Sequence, residues 1–275
     1  MTPTGVEAHQ RSRGLLRISF KAGNGATRLD DLRQEGCLKA RLPRPEPGAW
    51  FGAVTLNTAG GVTGGDVLTS EVAAGPGTRA TIAAQAMERI YRALPDSPPA
   101  RLRTTVRVAE GAFLDWLPQE TILFDRCALD RELLVDLAPG AAFTGVEHLL
   151  FGRGAMGEVV HTGRIRDVVR VRQDGREVLH DAVRFRGKVQ AVLDRPASAN
   201  GGRAVATVVH AAPDAAGRLD PVREALAPFE AGASFWDGLL VARIVARDGV
   251  LLRRAVVAVL AALRAGRPLP RVWMC

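Results

Sequence analysis

Cysteines, membrane-length apolar segments and export signals are scarce or absent in this sequence. The three cysteines, Cys37, Cys127 and Cys275, are odd in number and far apart, which predicts reduced thiols rather than a disulfide framework. The most apolar stretch, residues 250–263, contains two arginines and is too short to cross a bilayer. The first residues carry arginines but no apolar core followed by a small-residue cleavage site. We therefore expect a soluble, cytoplasmic protein without a membrane partner.

Lysines and aromatic residues are also few, although the chain is strongly basic. Of the 37 basic residues only Lys21, Lys39 and Lys188 are lysines, so 37 minus 3, or 34, are arginines, and the formal net charge is +8. Such a charge raises nucleic acid as a partner. The arginines are scattered, however, and those of residues 164–172 alternate with apolar residues, which predicts one solvated face of a strand. With a single tyrosine to stack on bases, nucleic-acid binding is the less favoured alternative.

Motifs for nucleotide binding and nucleophilic catalysis are absent. Residues 57–66 read Asn-Thr-Ala-Gly-Gly-Val-Thr-Gly-Gly-Asp, but the Lys and Ser or Thr of a phosphate-binding loop do not follow the last glycine. There is no Gly-x-Ser-x-Gly elbow. Glu120, Asp125 and Glu158 could still form the acid and base of a glycosidase, because their separation in space cannot be read from the sequence. A β-solenoid carbohydrate-active enzyme is therefore an alternative to a protein without catalytic activity.

The residues of a tight metal site are missing as well. The five histidines include no His-x-His pair, and no two cysteines have the Cys-x-x-Cys spacing of a preformed site. We therefore expect no tightly bound cofactor. Carboxylates distributed along an internal channel would bind a divalent cation weakly and exchangeably, as passage of the ion requires.

Alternating apolar residues separated by short turns predict that most of the chain is β-structure. The clearest hairpin has Asp174-Gly175 at its turn, with a strand on either side. Three stretches, at residues 72–77, 106–111 and 135–140, each combine a short strand pattern with a glycine turn. Their last glycines are 34 and 29 positions apart, a spacing typical of stacked repeating units. We therefore expect a mainly β fold of stacked sheets.

The C-terminal part of the chain has helical patterns. Asp220 and Pro221 supply an N-cap and a first-turn proline for a short helix. Residues 249–265 place their apolar side chains on one stripe and end at a glycine, as an amphipathic helix does. Because β patterning resumes after each loop rich in proline and glycine, we expect one domain over residues 1–275, in which residues 1–14 form a flexible N-terminal segment.

Carboxylates next to glycine turns or inside apolar runs are the candidate functional groups. Asp66 closes the glycine-rich stretch described above, and Glu158 closes a second one at residues 152–157. Because glycine sets the backbone in such turns, we expect these two carboxylates to be free to face a cavity. Gln119 and Glu120 lie within an apolar run, so they belong either to a structural hydrogen-bond network or to the lining of a polar channel.

Four ordered blocks of the sequence resemble the urease accessory protein UreD family, also called UreH. These blocks are residues 56–66, 84–92, 116–124 and 152–158. The likeness extends from about residue 15 to Trp273. It implies a right-handed β-helix-like body of stacked sheets with a small C-terminal helical part. It also implies that residues 80–94, whose composition suits both helix and strand, are largely strand.

The resemblance further implies a non-catalytic scaffold, or chaperone, that helps to insert nickel into apo-urease. Proteins of this family bind the accessory protein UreF, which recruits the GTPase UreG, and dock on apo-urease. Polar and acidic residues inside their body are thought to line a route for nickel. Carried over position by position, the residues implied to line a transient Ni²⁺ path are Asp66, Glu120, Glu147 and Glu158.

Overall fold

The computed structural model describes residues 10–274, whose strands form two sheets. Sheet A has seven strands, in the spatial order β14 (Arg176–Lys188), β13 (Thr162–Gln173), β11 (Cys127–Leu137), β8 (Ala100–Val108), β5 (Val67–Ala74), β1 (Arg13–Gly23) and β2 (Ala26–Gly36). Sheet B has ten strands, of which eight follow the order β16 (Glu230–Trp236), β17 (Leu239–Ala246), β15 (Ala204–Ala211), β12 (Ala142–Phe151), β9 (Phe113–Leu117), β6 (Arg79–Ala84), β4 (Phe51–Asn57) and β3 (Leu38–Arg41).

The remaining strands of sheet B are short, and helices complete the described part of the chain. Strand β10 (Thr121–Leu123) pairs with β12 and with β7 (Glu88–Ile90). The α-helices are α1 (Val189–Leu193), α2 (Leu219–Leu226) and α3 (Gly249–Leu263). Short 3-10 helices occur at Gly154–Met156, Ala215–Arg218 and Arg271–Trp273. Among the described residues, no helix combines the length and apolarity needed to cross a membrane.

Between β4 and β13 the chain crosses repeatedly from one sheet to the other. Strands β4, β6, β9 and β12 are parallel neighbours in sheet B, and β5, β8, β11 and β13 are parallel neighbours in sheet A. The crossings after β5, β8 and β11 use Gly77, Gly111 and Gly140, whose φ angles are 67°, 64° and 67°. The amide of Ala109 donates to the carbonyl of Ala74, so that one crossing stacks on the next. The three glycine turns predicted from the sequence are therefore equivalent crossings between stacked sheets.

The main sequence-based expectations for the fold are confirmed. The chain is mainly β, with a small C-terminal helical part. Asp174 and Gly175, both with positive φ, form the turn between β13 and β14. Residues 80–94 contribute strands β6 and β7, as the resemblance implied. The right-handed coil of a β-helix stays a prediction.

Two apolar cores separate three layers. The first lies between the sheets and includes Phe20 from sheet A and Phe143 from sheet B. The second lies between sheet B and the helices. The predicted apolar stripe of α3 forms much of it, with the buried side chains Leu252, Val256, Val259, Leu260 and Leu263.

The two longer helices begin differently. Asp248 caps α3, because its carboxylate accepts a hydrogen bond from the amide of Leu251 at 2.9 Å. The N-cap predicted at Asp220 is wrong, since α2 already begins at Leu219 and Asp220 lies in its first turn. The 3-10 helix Ala215–Arg218 continues directly into α2, which moves the start of the helix toward the N-terminus.

The outer face of sheet A carries charges that alternate in sign between neighbouring strands. Arg103 on β8 lies 2.5 Å from Asp130 on β11, and Asp130 lies 2.8 Å from Arg166 on β13. The arginines of residues 164–172 therefore lie on a charged outer face, as their alternation predicted. Their carboxylate partners explain how so many guanidinium groups are accommodated on one surface.

The N-terminal boundary differs from the expectation. Strand β1 begins at Arg13, which pairs with Val67, so the end of the segment predicted to be flexible belongs to sheet A. Residues 1–9 and Cys275 lie outside the described residues. Cys37 and Cys127 are free thiols, as predicted.

Candidate functional site

A cavity of about 440 Å³ lies between the two sheets, within the size range of small-ligand pockets. Its apolar wall includes Leu16, Leu38, Leu56, Leu68 and Leu102. Its charged and polar lining includes Asn57, Glu88, Thr121, Arg131 and Glu147. Charged groups inside a core need partners, so their contacts decide what the cavity can do.

Arg131 is the centre of the charged groups. Its Nε and Nη2 donate to Oδ1 and Oδ2 of Asp167, both at 2.7 Å. Its Nη1 donates to Oγ1 of Thr121 at 2.8 Å and lies 2.9 Å from Oε2 of Glu147. The three charged side chains are only 13% (Arg131), 10% (Glu147) and 7% (Asp167) exposed. Two buried carboxylates therefore share one guanidinium, which leaves the cluster one positive charge short of neutrality.

Strand alternation places these residues inside the molecule. In β11, Leu129, Leu133 and Val135 point into the first core, and Arg131 has the same parity. In the parallel register of β11 and β13, Arg131 lies directly opposite Asp167. The ion pair therefore follows from the pairing of two neighbouring strands.

The pKa of Glu147 is raised by its surroundings. Burial raises its pKa; Arg131 opposes this shift and the nearby charge of Asp167 adds to it. Trp116 donates from Nε1 to its Oε1 at 2.9 Å. Burial lowers the pKa of the Arg131 guanidinium, but Asp167 and Glu147 outweigh that effect and the pKa is raised. Arg131 therefore stays charged.

Glu88 faces the same cavity and is held by amide groups. Nδ2 of Asn57 donates to its two oxygens at 3.1 and 3.3 Å, and the amide of Arg89 donates to Oε1 at 3.1 Å. Burial raises the pKa of Glu88, while these hydrogen bonds and the charge of Arg131 lower it in part. Glu88 is thus a further acidic group in the field of Arg131.

A second cavity, of about 20 Å³, lies next to the cluster of Arg131. It is lined by Glu147, Asp167, Asp181 and Thr207, and it is large enough for one water molecule. Asp181 accepts hydrogen bonds from Oγ1 of Thr207 at 3.0 Å and from Nη2 of Arg243 at 2.7 Å. The side chain of Arg243 is 59% exposed, so this row of acids reaches the surface there.

Asp66 is buried, but its carboxylate is not free. The amides of Ser12 and Thr63 donate to Oδ1 and Oδ2, each at 2.8 Å. The expectation of a free carboxylate is therefore wrong for Asp66, because two backbone N–H groups beside the glycine turn need acceptors. Asp66 fastens the start of β1 to that turn.

Glu158 is partly buried, with 22% of its side chain exposed, and is not free either. Its Oε2 accepts a hydrogen bond from Nε of Arg153 at 3.0 Å, and the arginine side chain is 47% exposed. The guanidinium of Arg153 also lies over the ring of Phe124, 4.9 Å from its centroid. The expectation of a carboxylate facing a cavity is therefore wrong for Glu158 as well.

Glu120 lies on the other side of sheet B, against the C-terminal segment. Nη1 of Arg253 donates to Oε1 of Glu120 at 3.0 Å and to Oε1 of Gln119 at 2.9 Å. Nε2 of Gln119 donates to the carbonyl of Val272, and Nη2 of Arg253 donates to that of Trp273. Of the two alternatives left open by the sequence, Glu120 fits the structural hydrogen-bond network, whereas Gln119 takes part in that network and also borders the large cavity.

His148 belongs to the same layer as Glu120. Its Nε2 lies 3.1 Å from the carbonyl oxygen of Pro118, and its ring stacks on Trp273 with centroids 5.9 Å apart. Burial lowers its pKa. A neutral ring must carry its proton on Nε2 to donate to that carbonyl. Through its stacking on Trp273, His148 supports the C-terminal segment.

The structure thus brings only one of the four predicted path residues, Glu147, into the cavity between the sheets. The sequence reasoning missed Glu88, Arg131, Asp167 and Asp181. A signal was present, because each lies in its strand at a position whose parity points inward. Among residues 10–274, no group of three or more His, Cys, Asp or Glu side chains is arranged to hold a metal ion.

The acids of the glycosidase alternative each have a structural partner. Glu120 pairs with Arg253, Glu158 pairs with Arg153, and Oδ1 of Asp125 accepts a hydrogen bond from the amide of Thr162 at 2.9 Å. None of the three acids lines the large cavity. The geometry therefore gives no support to a paired-acid cleft.

Comparisons with known proteins agree on one family. The family model described as UreD urease accessory protein matches residues 12–274. A protein named urease accessory protein UreD from Xanthobacter autotrophicus is 48% identical over 266 residues, which cover 96% of this chain and 90% of that protein. Proteins of the same name from Methylobacterium sp. and Rhizobium leguminosarum bv. trifolii are 47% and 46% identical, with 95% and 96% of their lengths covered. With the match extending over almost the whole described chain, this protein belongs to the UreD urease accessory protein family.

Proposed function

We propose that this protein is a non-catalytic scaffold of urease maturation that passes Ni²⁺ toward apo-urease. In this proposal it works in the cytoplasm, in a complex with UreF and, through UreF, with the GTPase UreG. Membership of the family supports the role in urease maturation. The row of buried acids between the sheets supports the passage of a cation.

The proposed route begins at the large cavity and continues to the small one. Glu88 lines the first cavity, Glu147 lines both, and Asp167 and Asp181 line the second. Carboxylate oxygens suit a divalent cation that must be released again, because they bind it without the permanent cage of thiolates and imidazoles. The ion is cargo here, held in turn by successive acids.

Of the four residues that the resemblance implies for the nickel path, the proposed route includes Glu147 and does not include the other three. The carboxylates of Asp66, Glu120 and Glu158 are held by backbone amides or by arginines outside the cavity. Removal of Asp66 or Glu120 is expected to act through the fold, and removal of Glu158 to have little effect. Asp167 and Asp181, in contrast, lie on the side of the cluster that leads to the surface.

The test is co-expression of the chain with urease and its other accessory proteins. We expect Glu147→Gln and Asp167→Asn to lower both the urease activity and the nickel content of the purified urease, while the complex with UreF is still recovered. Glu177, which pairs with Arg170 on the outer face, supplies the control, so Glu177→Gln should activate urease normally. Full activation by both buried variants would remove the proposed route.

The absence of catalysis is tested on the purified chain. We expect no hydrolysis of GTP, because the sequence carries no phosphate-binding loop. Turnover of GTP or of a polysaccharide by the pure protein would contradict the scaffold role.

A further inference from the structure

We propose that Arg131 is the gate of this route: its guanidinium closes the passage between the two cavities and must leave Glu147 and Asp167 before a divalent cation can pass. This inference rests on the proposed function. It adds a regulated step to the route, with one side chain responsible for it.

The position of Arg131 supports the gate. Arg131 lines the large cavity, Asp167 lines the small one, and Glu147 lines both. The guanidinium bridges the two carboxylates at 2.7 and 2.9 Å, so it lies at the partition between the cavities. A cation that moves from one cavity to the other meets this fixed positive charge.

Three of the four oxygens that a cation would use accept hydrogen bonds, and the fourth, Oε2 of Glu147, lies 2.9 Å from Nη1 of Arg131 without one. Both oxygens of Asp167 and Oε2 of Glu147 contact the nitrogens of Arg131, and Oε1 of Glu147 accepts from Trp116. Three of these four contacts are made by the same guanidinium. Its movement therefore frees three oxygen ligands at once and removes the charge that repels the ion.

The large cavity has room for the guanidinium when it leaves Glu147 and Asp167. It borders the side chain of Arg131 and contains Glu88, whose carboxylate already acts on the charge of Arg131. Glu88 is held by amide donors, so it can accept an arginine without breaking another ion pair. Arg131 thus has a closed position on Glu147 and Asp167 and an open position toward Glu88.

A purely structural ion pair makes a different prediction from a gate. If Arg131 only stabilises the fold, its removal lowers stability and leaves nickel binding unchanged. If Arg131 competes with the cation, its removal exposes the two carboxylates and strengthens nickel binding. Nickel affinity separates these roles, whereas stability does not.

The experiment measures Ni²⁺ binding to the purified full chain by calorimetric titration and by the shift of the thermal midpoint. We expect Arg131→Gln to bind Ni²⁺ at least about tenfold more tightly than the native chain, a factor that corresponds to about 1.4 kcal/mol. The double variant with Arg131→Gln and Asp167→Asn should lose this gain. Arg170, which contacts Glu132 and Glu177 on the outer face, supplies the control, and Arg170→Gln should leave nickel binding unchanged.

Three results would overturn the gate: unchanged affinity in Arg131→Gln, a gain that persists without Asp167, or an equal gain in Arg170→Gln. Circular dichroism establishes that each variant is folded. If Arg131→Gln is unfolded, Arg131→Lys provides the test instead. One ammonium group cannot engage both carboxylates as the guanidinium does, so this variant should show a smaller gain in nickel affinity. The proposed function fails separately, when urease is activated equally well without this chain.

Discussion

Nη1 of Arg264, at the end of α3, donates a hydrogen bond to Oδ2 of Asp115 on β9, across 149 residues of sequence. Both side chains are buried. Arg267 lies 3.4 Å from the same carboxylate, and its guanidinium lies 3.3 Å from the centroid of the Trp50 ring. Nη2 of Arg264 donates to the carbonyl of Pro268. One carboxylate thus joins sheet B to α3 and to the C-terminal segment.

Removing this carboxylate should destabilise the protein strongly. Asp115→Ala leaves the guanidinium of Arg264 buried without its anion, and breaking a buried ion pair in this way costs about 3–5 kcal/mol. Urea denaturation should show this loss in the free energy of unfolding. The exposed pair of Arg176 and Asp237 is the control, and Arg176→Ala should cost less than about 1 kcal/mol. Equal effects of the two substitutions would contradict the assignment.

Asp66 and Glu158 should behave differently when each is replaced by alanine. Asp66→Ala removes the acceptor of two backbone amides and should lower the free energy of unfolding by about 1–3 kcal/mol. Glu158→Ala removes only a surface ion pair and should cost less than about 1 kcal/mol. Thermal and urea unfolding of the two variants provide the comparison. A stable Asp66→Ala chain would restore the idea of a free carboxylate.

His210 should make the protein less stable in mild acid. Burial lowers its pKa from 6.5 to about 4, with Arg218 and Arg267 adding to the shift and Asp214 opposing it. Above pH 6.5 the histidine is neutral in both states and its full contribution is present. As the pH falls from 6.5 toward 4, the unfolded chain takes up a proton that the native chain refuses. This group alone should remove about 2 kcal/mol between pH 7 and pH 5.

The test compares urea unfolding at these two pH values. The His210→Gln variant should lose less stability on acidification than the native chain does. Burial also lowers the pKa of His148, so part of the pH dependence remains in that variant. If the His210→Gln variant loses as much stability on acidification as the native chain does, another group is responsible for the pH dependence.

Arg253 should hold the C-terminal segment on sheet B. Its guanidinium donates to the carbonyl of Trp273 at 2.6 Å and lies 5.1 Å from the centroid of that ring. Arg253→Ala should therefore speed hydrogen exchange at the amides of Trp273 and Met274, by about tenfold for each 1.4 kcal/mol lost locally. The neighbouring Arg254 is exposed, and Arg254→Ala should leave these amides protected. Equal rates of hydrogen exchange in both variants would show that Arg253 does not hold the C-terminal segment on sheet B.

Local signals explain how much of the fold the sequence revealed. Asp174-Gly175 and the glycines at 77, 111 and 140 need positive φ, so their positions predict turns directly. The apolar stripe of α3 repeats within one helix and is likewise visible in the chain. The start of α2 could not be read from the sequence in the same way, because the 3-10 helix that precedes it has no comparable sequence signature.

The candidate site depends on contacts that no local pattern contains. Strand parity shows that Arg131 points inward, but only the register of β11 with β13 shows that Asp167 lies opposite it. Glu120 and Glu147 are both acids implied by the resemblance to line the route, yet they face different layers of the molecule. Asp66 was misjudged because Ser12, the donor to its Oδ1, lies 54 residues away.

The crossing of successive strands between the sheets also affects how the chain folds. Val72 lies opposite Val106, and Val106 opposite Val135, so these parallel neighbours within a sheet are separated in sequence by a strand of the other sheet. Loop-closure entropy must be lost before such distant pairs can form, which slows folding. Because each new strand pairs with an edge formed by earlier strands, we expect the stack to grow in chain order as the polypeptide leaves the ribosome. Until the last crossing is made, the growing end exposes an unpaired strand edge that is open to association with other chains.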